Sequence, residues 1–368
     1  EGIMIVKHGC GPYDGQFPET LRIIEARHPI PDRRGLSGTH AILNLLKATT
    51  PEDLVICLLS GGASALMTLP APGITLTDIQ RMTDLLLRSG ATIHEINTLR
   101  KHLDNVKGGG LARAAAPAQV LSLILSDVVG DQLDVIASGP TAVDESTYFQ
   151  AMQIVKRYEL EDRLAPSILN YLKRGINGEI AETLKPVEAA QLRIENIIIG
   201  SNRLAIQAAL DTASKMGFNT QVLTTTMQGE ARQAGQILSG ILRDVDGGLY
   251  SISRPACIIA GGETTVTVTG TGFGGRNLEL ALAAVSGLKD LKNVLLITLA
   301  TDGGDGPTDA AGAVVSGGTM AQALALGLSP AEYLIHNNSY PFFEAIGDLI
   351  KPGQTQTNTN DLVFIFAF

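Results

Sequence analysis

The stretch that decides the fold reads Val294-Leu-Leu-Ile-Thr-Leu-Ala300 and continues as Thr301-Asp-Gly-Gly-Asp-Gly-Pro-Thr-Asp-Ala-Ala-Gly312. Its first part is an apolar run typical of a buried strand. Its second part places three carboxylates, Asp302, Asp305 and Asp309, among glycines that let the backbone turn tightly and approach a ligand. Ligands of open α/β sheets bind beyond the carboxyl ends of the strands. The stretch therefore predicts an α/β sheet with a loop that holds a hydrated metal ion or a phosphate-bearing substrate.

Strand-like runs alternate with helical periodicity along the rest of the chain. Strands are expected at Ile3–Val6, Leu54–Leu59, Val120–Leu125, Ile197–Ile199, Gln221–Thr225, Ala256–Ala260, Val294–Ala300 and Leu362–Phe366. Helices are expected at Thr39–Ala48, Thr77–Ser89, Ser146–Tyr158, Asn202–Met216, Glu230–Arg243, Arg276–Ser286 and Gly318–Leu326. This alternation predicts an α/β fold in which mainly parallel sheets are covered by helices.

Chain length and one polar interruption predict two domains. At 368 residues the chain exceeds the usual size of a single hydrophobic core. The stretch 160–195 is the most polar and least patterned part, so we place the boundary near 190. We expect a first domain at 1–190 and a smaller α/β domain at 191–368. Within the first, Thr77-Asp-Ile-Gln80 has the form of a helix capping box.

Charge and cysteine usage exclude several classes of protein. The formal net charge is −9 without a block of Lys and Arg, so the footprint of a nucleic-acid binder is missing. No apolar run reaches the ~18–20 residues of a membrane span. Cys10, Cys57 and Cys257 are spaced unlike a disulfide or metal framework, and the histidines form no zinc motif. The sequence therefore predicts a cytoplasmic protein with no nucleic-acid or membrane partner.

Two segments of the first domain carry candidate anion-binding groups. The turn after the strand Leu54–Leu59 presents backbone N–H groups suited to a phosphate, from Ser60, Gly61, Gly62, Ala63 and Ser64. A plain tight turn remains an equal alternative. Arg100 and Lys101 belong to a basic segment that ends in three glycines, and they could neutralise phosphate or carboxylate oxygens. The alternative is a solvated basic helix face.

Further candidates follow other predicted strands. Asp127 comes directly after the strand Val120–Leu125, where a carboxylate suits Mg²⁺. Glu263 follows an apolar run in the same way. Arg276 opens a predicted helix, where the helix dipole disfavours a cation, so we expect it to reach an anionic ligand. An ion pair with Glu279 is the structural alternative.

Taken together these segments resemble the class II glycerate kinases, whose C-terminal part is known as the MOFRL domain. The resemblance extends over essentially the whole chain. It is carried, in order, by Leu59-Ser-Gly-Gly-Ala-Ser64, Ile96-Asn-Thr-Leu-Arg-Lys-His102, Lys107-Gly-Gly109, Ser126-Asp-Val-Val-Gly-Asp131, Ala137-Ser-Gly-Pro140, Gly261-Gly-Glu263, Gly274-Gly-Arg-Asn277 and the Asp-Gly stretch 301–312.

The resemblance implies ATP- and Mg²⁺-dependent phosphorylation of D-glycerate, usually to 2-phosphoglycerate. It also implies a Rossmann-like N-terminal domain, an active site in the cleft between the two domains, and a monomer or homodimer. Arg276 aligns with the arginine proposed for catalysis in the family. Our hypothesis assigns catalysis to Arg276, Asp302 and Asp127, and metal binding to Asp302, Asp305 and Asp127. It assigns substrate binding to Arg100, Lys101, Glu263 and Asn277, and nucleotide phosphate binding to Ser60, Gly61, Gly62, Ala63 and Ser64.

Two alternatives belong to other functional classes. Members of the family are also provisionally labelled hydroxypyruvate reductases, but no G-x-G-x-x-G fingerprint of an NAD(P)H site follows a strand here. The other alternative is a non-catalytic remnant that binds glycerate or nucleotide. Family members have a further N-terminal segment with a Gly-Lys-Ala-Ala sequence, and we expect this chain, which starts within a strand, to lack it.

Overall fold

The computed structural model describes residues 1–10 and 17–368, which form two compact units. The first unit comprises 1–125 and 132–199, and the second comprises 126–131 and 200–368. The segment 126–131, which contains Asp127, thus belongs to the second unit although it lies within the first in sequence. No helix in the described part of the chain is long and apolar enough to cross a membrane.

The first unit contains two separate sheets, and helices lie between the strands of the second one. β1 (Gly2–Lys7) pairs in parallel with β2 (Leu21–Ala26), and a second sheet has the order β3-β4-β5, from β3 (Leu54–Leu59), β4 (Gln119–Leu125) and β5 (Ile194–Gly200). β3 and β4 are parallel. The helices are α1 (Arg33–Leu46), α2 (Ala63–Leu66), α3 (Leu76–Arg88), α4 (Ile93–His102), α5 (Gly110–Ala115), α6 (Tyr148–Arg157), α7 (Pro166–Ile176) and α8 (Pro186–Ala189).

Helical cover of the three-stranded sheet differs between its two faces. Val55 and Cys57 of β3 pack in a cluster with residues of α1 and α5. Their neighbours Leu54, Ile56 and Leu58 point the other way and are exposed. Among the described residues, helices therefore pack against one face of β3 and leave its other face exposed.

The start of α3 corrects the predicted capping box. The N-cap is Thr75, whose hydroxyl accepts from the Asp78 backbone N–H while the Asp78 carboxylate accepts from that of Thr75. The predicted box at Thr77 and Gln80 is wrong by two residues, because Gln80 lies inside the helix and donates to the Pro31 carbonyl at 2.6 Å. The aspartate satisfies the same orphan N–H that a glutamine would.

The second unit is built on one mixed sheet with the order β10-β9-β8-β11-β7-β6. Its strands are β6 (Asn219–Met227), β7 (Ala256–Gly262), β8 (Val294–Ala300), β9 (Gly312–Ser316), β10 (Leu349–Ile350) and β11 (Asp361–Ala367). Its helices are α9 (Asn202–Lys215), α10 (Ala231–Asp246), α11 (Arg276–Leu288), α12 (Thr319–Ala325), α13 (Pro330–Ile335) and α14 (Ser339–Ile346).

Strand direction in this sheet departs from the prediction. β6 and β7 are parallel, but β11 runs antiparallel to both β7 and β8, and β9 is antiparallel to β8 and β10. The α/β class is confirmed, whereas a mainly parallel sheet is wrong for this unit. Apolar runs identify buried strands without fixing their direction.

The helix α11 is the best-buried helix of the second unit. Residues 277–285 are all buried, so this part of the helix is enclosed on every side. Its neighbour α10 approaches closely at Gly235, where a Cβ would lie 2.2 Å from the Leu280 carbonyl oxygen. This packing fixes the position of α11 and hence of its first residue, Arg276.

Candidate active site

Three strand ends meet at one edge of the second unit's sheet. Asp361, the first residue of β11, lies opposite Gly262 at the end of β7 and Ala300 at the end of β8. Glu263 follows β7 directly, and Asp302 is the second residue after β8. Because β11 runs antiparallel to its neighbours, its amino end and their carboxyl ends place acidic residues together.

Arg276 reaches two of these acids from the start of α11. Its Nε donates to Asp361 Oδ2 at 2.5 Å and its Nη2 to Asp361 Oδ1 at 3.1 Å, which makes a bidentate pair. Its Nη1 donates to Glu263 Oε1 at 2.7 Å. The Asp361 side chain is 3% exposed, against 31% for Arg276 and 43% for Glu263. Asp361 thus binds the guanidinium from within the sheet, whereas Glu263 lies nearer to solvent.

The charges in this group shift two pKa values. Burial lowers the pKa of Arg276, but hydrogen bonding and the charges of Asp361 and Glu263 outweigh it, so the pKa is raised and the guanidinium stays protonated. Burial raises the pKa of the Glu263 carboxyl; Arg276 opposes this, and Asp361, Asp127 and Asp302 raise it further. Glu263 therefore lies among three other acids and one arginine.

Asp305 caps the helix that carries Arg276. Its carboxylate is buried and accepts from the backbone N–H of Asn277 at 3.1 Å and of Leu278 at 2.8 Å. Burial raises the pKa of Asp305 to about 6, although those two amides act in the opposite direction. The Asn277 side chain is buried too and faces Asp305, with Nδ2 3.5 Å from Oδ1. Both residues hold the start of α11, so we leave them out of the metal and substrate roles predicted above.

Asp302 and Asp309 flank this cap on the same loop. Asp302 is exposed, and its Oδ1 accepts from the Gly304 N–H at 3.1 Å. Asp309 accepts from the Tyr340 hydroxyl at 2.8 Å and lies 3.2 Å from Lys351 Nζ. The three aspartates of the loop thus have different surroundings, and Asp302 is the one that acts on Glu263.

Few carboxylates of this group are placed where they could bind a metal ion. The described residues contain no group of three or more His, Cys, Asp or Glu side chains arranged to hold a metal ion. Mg²⁺ commonly takes only one or two protein carboxylates and completes its shell with water and phosphate oxygens. Asp127, half-buried, and Asp302 both lie near enough to the Glu263 carboxyl for their charges to raise its pKa.

In the first unit, the predicted phosphate turn is tied to a second loop. Gly62 adopts φ +83°, which favours glycine, and precedes α2. Ser64 Oγ lies 2.9 Å from Ser138 Oγ, and Ser138 donates to Asn97 Oδ1 at 3.2 Å. Ser138 itself lies in a left-handed turn with φ +61°. The contact through Ser64 ties the end of the stretch 60–64 to the loop that contains Ser138.

The basic segment is less available to a ligand than the sequence predicted. The Lys101 side chain is 4% exposed, and its Nζ lies 2.7 Å from Asp144 Oδ1 and 3.1 Å from Asp134 Oδ2. Burial lowers the pKa of Arg100, which the charge of Asp104 partly offsets. The charge of Lys101 is already neutralised by two carboxylates, so we do not retain its predicted substrate contact.

Comparison with known proteins identifies the family. Residues 1–173 match the model described as a domain of unknown function, DUF4147, and residues 256–361 match the MOFRL family. D-Glycerate 2-kinase of Thermotoga maritima is 42% identical over 365 residues, which are 99% of this chain and 83% of that protein. The chain belongs to the glycerate kinase family. The resemblance stated from the sequence is therefore confirmed.

Other members of the glycerate kinase family agree with this assignment. Glycerate 2-kinase of Pyrococcus horikoshii is 40% identical, with 99% of this chain and 81% of that protein aligned. The crystal structure of glycerate kinase from Thermotoga maritima superposes with a TM-score of 0.91 at 40% identity, covering all of this chain and 85% of that one.

Sequence reasoning missed one acidic member of this candidate site. Asp361 makes two of the three hydrogen bonds that hold Arg276, yet it was not among the predicted residues. The structural alternative for Arg276, an ion pair with Glu279, is absent from the described contacts, since Glu279 pairs with Arg232 at 2.7 Å. The available signal was an aspartate directly before the apolar run 362–366.

Proposed function

We propose that the chain is a kinase that transfers the γ-phosphoryl group of ATP to a hydroxyl of D-glycerate and forms 2-phosphoglycerate. The observation that carries the proposal is the arginine held between Asp361 and Glu263 at the edge where three strands end. Phosphoryl transfer needs positioned positive charge more than covalent chemistry. The names of the relatives in the family support glycerate as the acceptor.

Arg276 supplies the positive charge. Among the contacts of the described residues, three of its five N–H groups donate to Asp361 and Glu263. One N–H on Nη1 and one on Nη2 are left for oxygens of an anionic substrate. We assign them to the transferring phosphoryl group or the glycerate carboxylate.

Glu263 accepts the proton of the attacking hydroxyl. Its side chain is nearly half exposed, so substrate can reach it. Its pKa is raised by burial and by the neighbouring acids, which makes the carboxylate a stronger base. Arg276, whose Nη1 lies 2.7 Å from Glu263 Oε1, is placed beside the charge that develops as Glu263 takes that proton.

We assign Mg²⁺ to Asp127 and Asp302, which fit an ion that keeps most of its shell for water and phosphate oxygens. When bound, the ion would neutralise charge on the transferring phosphoryl oxygens. The nucleotide phosphates are assigned to the backbone of residues 60–64, as the sequence suggested. Three cysteines without disulfides, Cys10, Cys57 and Cys257, support a place in the reducing cytoplasm.

The test is a turnover assay with ATP, Mg²⁺ and D-glycerate, in which ADP release is followed and the product identified by ³¹P NMR. A parallel assay follows NADH oxidation with hydroxypyruvate. We expect 2-phosphoglycerate and no NADH oxidation. NADH oxidation without ADP release would contradict the proposal.

The role of Arg276 is tested by the Arg276→Ala change. The matched control is Arg254→Ala, since Arg254 is 32% exposed and pairs with Asp246 at 2.7 Å in the same unit. Removing one preorganised donor for developing charge commonly costs roughly 100- to 1,000-fold in kcat. We expect a loss of that size for Arg276→Ala and near-normal turnover for the control. Equal activities of the two variants would refute the role.

A further inference from the structure

We propose that Asp361 is a positioning residue that fixes the plane of the Arg276 guanidinium for phosphoryl transfer. This inference rests on the proposed kinase function and adds to it a residue outside the predicted site. Asp361 does not need to touch the substrate, since it acts through Arg276.

The contact between the two side chains restricts rotation of the guanidinium. Nε and Nη2 of Arg276 face Oδ2 and Oδ1 of Asp361 at 2.5 Å and 3.1 Å. Two parallel hydrogen bonds define a plane, whereas a single bond would leave the group free to turn. The edge formed by Nη1 and Nη2 then has one orientation, which is the edge assigned to the substrate.

Asp361 is itself held in place by the strands on both sides of it. Its backbone pairs on one side with Gly262 of β7 and on the other with Ala300 of β8. Its carbonyl oxygen also accepts from Asn202 Nδ2 at 2.9 Å. The side chain is almost fully buried, so the carboxylate cannot follow a moving ligand. Groups on a strand in the middle of a sheet hold geometry better than groups on loops.

The two partners of Arg276 therefore have separate tasks. Glu263 lies just beyond β7, accepts one hydrogen bond from Arg276 and is the more exposed of the pair. Asp361 accepts two bonds and is closed off from solvent. Both carboxylate oxygens of buried Asp361 accept from Arg276, which suits a positioning role. Only Oε1 of the more exposed Glu263 accepts from Arg276, which suits a role in the reaction.

A double-mutant cycle tests the coupling. Misplacing a catalytic group by about 1 Å can cost ~100-fold, so we expect Asp361→Asn to lower kcat by about that factor with little change in the KM for ATP. In the Arg276→Ala background the same change should alter kcat by no more than about twofold, because the residue it positions is gone. Asp246→Asn, which removes the acid of the control pair, should leave kcat near normal. An equal loss in both backgrounds would overturn the proposal.

Chemical rescue separates positioning from folding. Guanidinium ion at millimolar concentration should restore part of the activity of Arg276→Ala, since Asp361 still offers its two oxygens. The double variant should not respond. Rescue of the double variant to the same extent would show that Asp361 does not hold the guanidinium.

A measurement independent of activity keeps the test valid if the kinase proposal fails. With ¹⁵N-labelled arginine, the unsubstituted chain should show resolved, slowly exchanging Nη–H signals for Arg276, assigned by their loss in Arg276→Lys. Asp361→Asn should average them into one signal, and Asp246→Asn should not. Absence of kinase activity would refute the function alone, whereas unchanged Arg276 signals in Asp361→Asn would refute the positioning.

Discussion

Replacing Gly275 by alanine should disturb the start of α11 and lower both stability and turnover. A Cβ at this position would lie 2.3 Å from Asp305 Cγ and 2.5 Å from each carboxylate oxygen. The backbone of Gly275 is extended, with φ −149°, so alanine brings no conformational strain of its own. The whole effect therefore comes from pushing Asp305 away from the helix.

The cost follows from the contacts that Asp305 would lose. Its carboxylate accepts from the N–H groups of Asn277 and Leu278, at 3.1 Å and 2.8 Å. Hydrogen bonds to a charged group contribute about 1.5–3 kcal/mol each, and loss of a helix cap costs about 0.5–2 kcal/mol. The buried carboxylate relaxes toward new partners, so we expect about 3 kcal/mol rather than the sum. Because Arg276 follows Gly275 directly, kcat should fall as well.

Urea unfolding followed by circular dichroism measures the stability, and ADP release measures kcat. The matched control is Gly240→Ala, since Gly240 is exposed within α10 and a Cβ there would contact nothing within 4 Å. That change should stabilise the chain by up to about 1 kcal/mol. A loss of under about 1 kcal/mol for Gly275→Ala, with unchanged kcat, would refute the role given to Asp305.

Three further predictions concern the same unit. Burial raises the pKa of Asp305 to about 6 from 3.8, so protonation of this carboxyl favours the folded state. About 3 kcal/mol of stability should therefore be present below pH ~4 and be lost as the pH rises through ~6. A ¹³C NMR titration of Asp305 without a midpoint above pH 5 would contradict this. Glu263→Gln should lower kcat roughly 100-fold or more and abolish the acid limb of the pH–rate profile. In the unsubstituted chain this limb should lie above pH 4.5, because burial and nearby acids raise the pKa of Glu263. Gly235→Ala should cost about 1–3 kcal/mol, since its Cβ would lie 2.2 Å from the Leu280 carbonyl oxygen; a chain as stable as Gly240→Ala would show that α10 and α11 can separate freely.

The long apolar strands could be predicted from the sequence almost to the residue. Leu54–Leu59 and Val294–Ala300 have the predicted bounds, because a short, mostly apolar run is a strong local signal for a strand. The strands β2, β9 and β10 were missed. β10 has two residues and β9 has five, and such short segments owe their conformation to pairing with neighbours rather than to their own composition.

The roles of the loop aspartates could be predicted only in part. Asp302, Asp305 and Asp309 look alike in sequence, each one close to a glycine or proline. In the structure, Asp305 accepts hydrogen bonds from backbone amides of α11, whereas Asp309 contacts Tyr340 and Lys351. Which aspartate is buried depends on how the loop packs against a helix about thirty residues earlier in the chain. Residue spacing within the loop does not contain that information.

Asp361 was missed for a reason of topology. The predicted acidic residues were those that follow a strand, since ligands gather at the carboxyl ends of parallel strands. β11 is antiparallel to both neighbours, so here it is the residue before the apolar run that reaches the same edge. A buried carboxylate needs a cationic partner, and an arginine at the start of a helix needs an anion to offset the helix dipole. Pairing Asp361 with Arg276 meets both needs, which explains why two residues that each look misplaced in sequence are stable together.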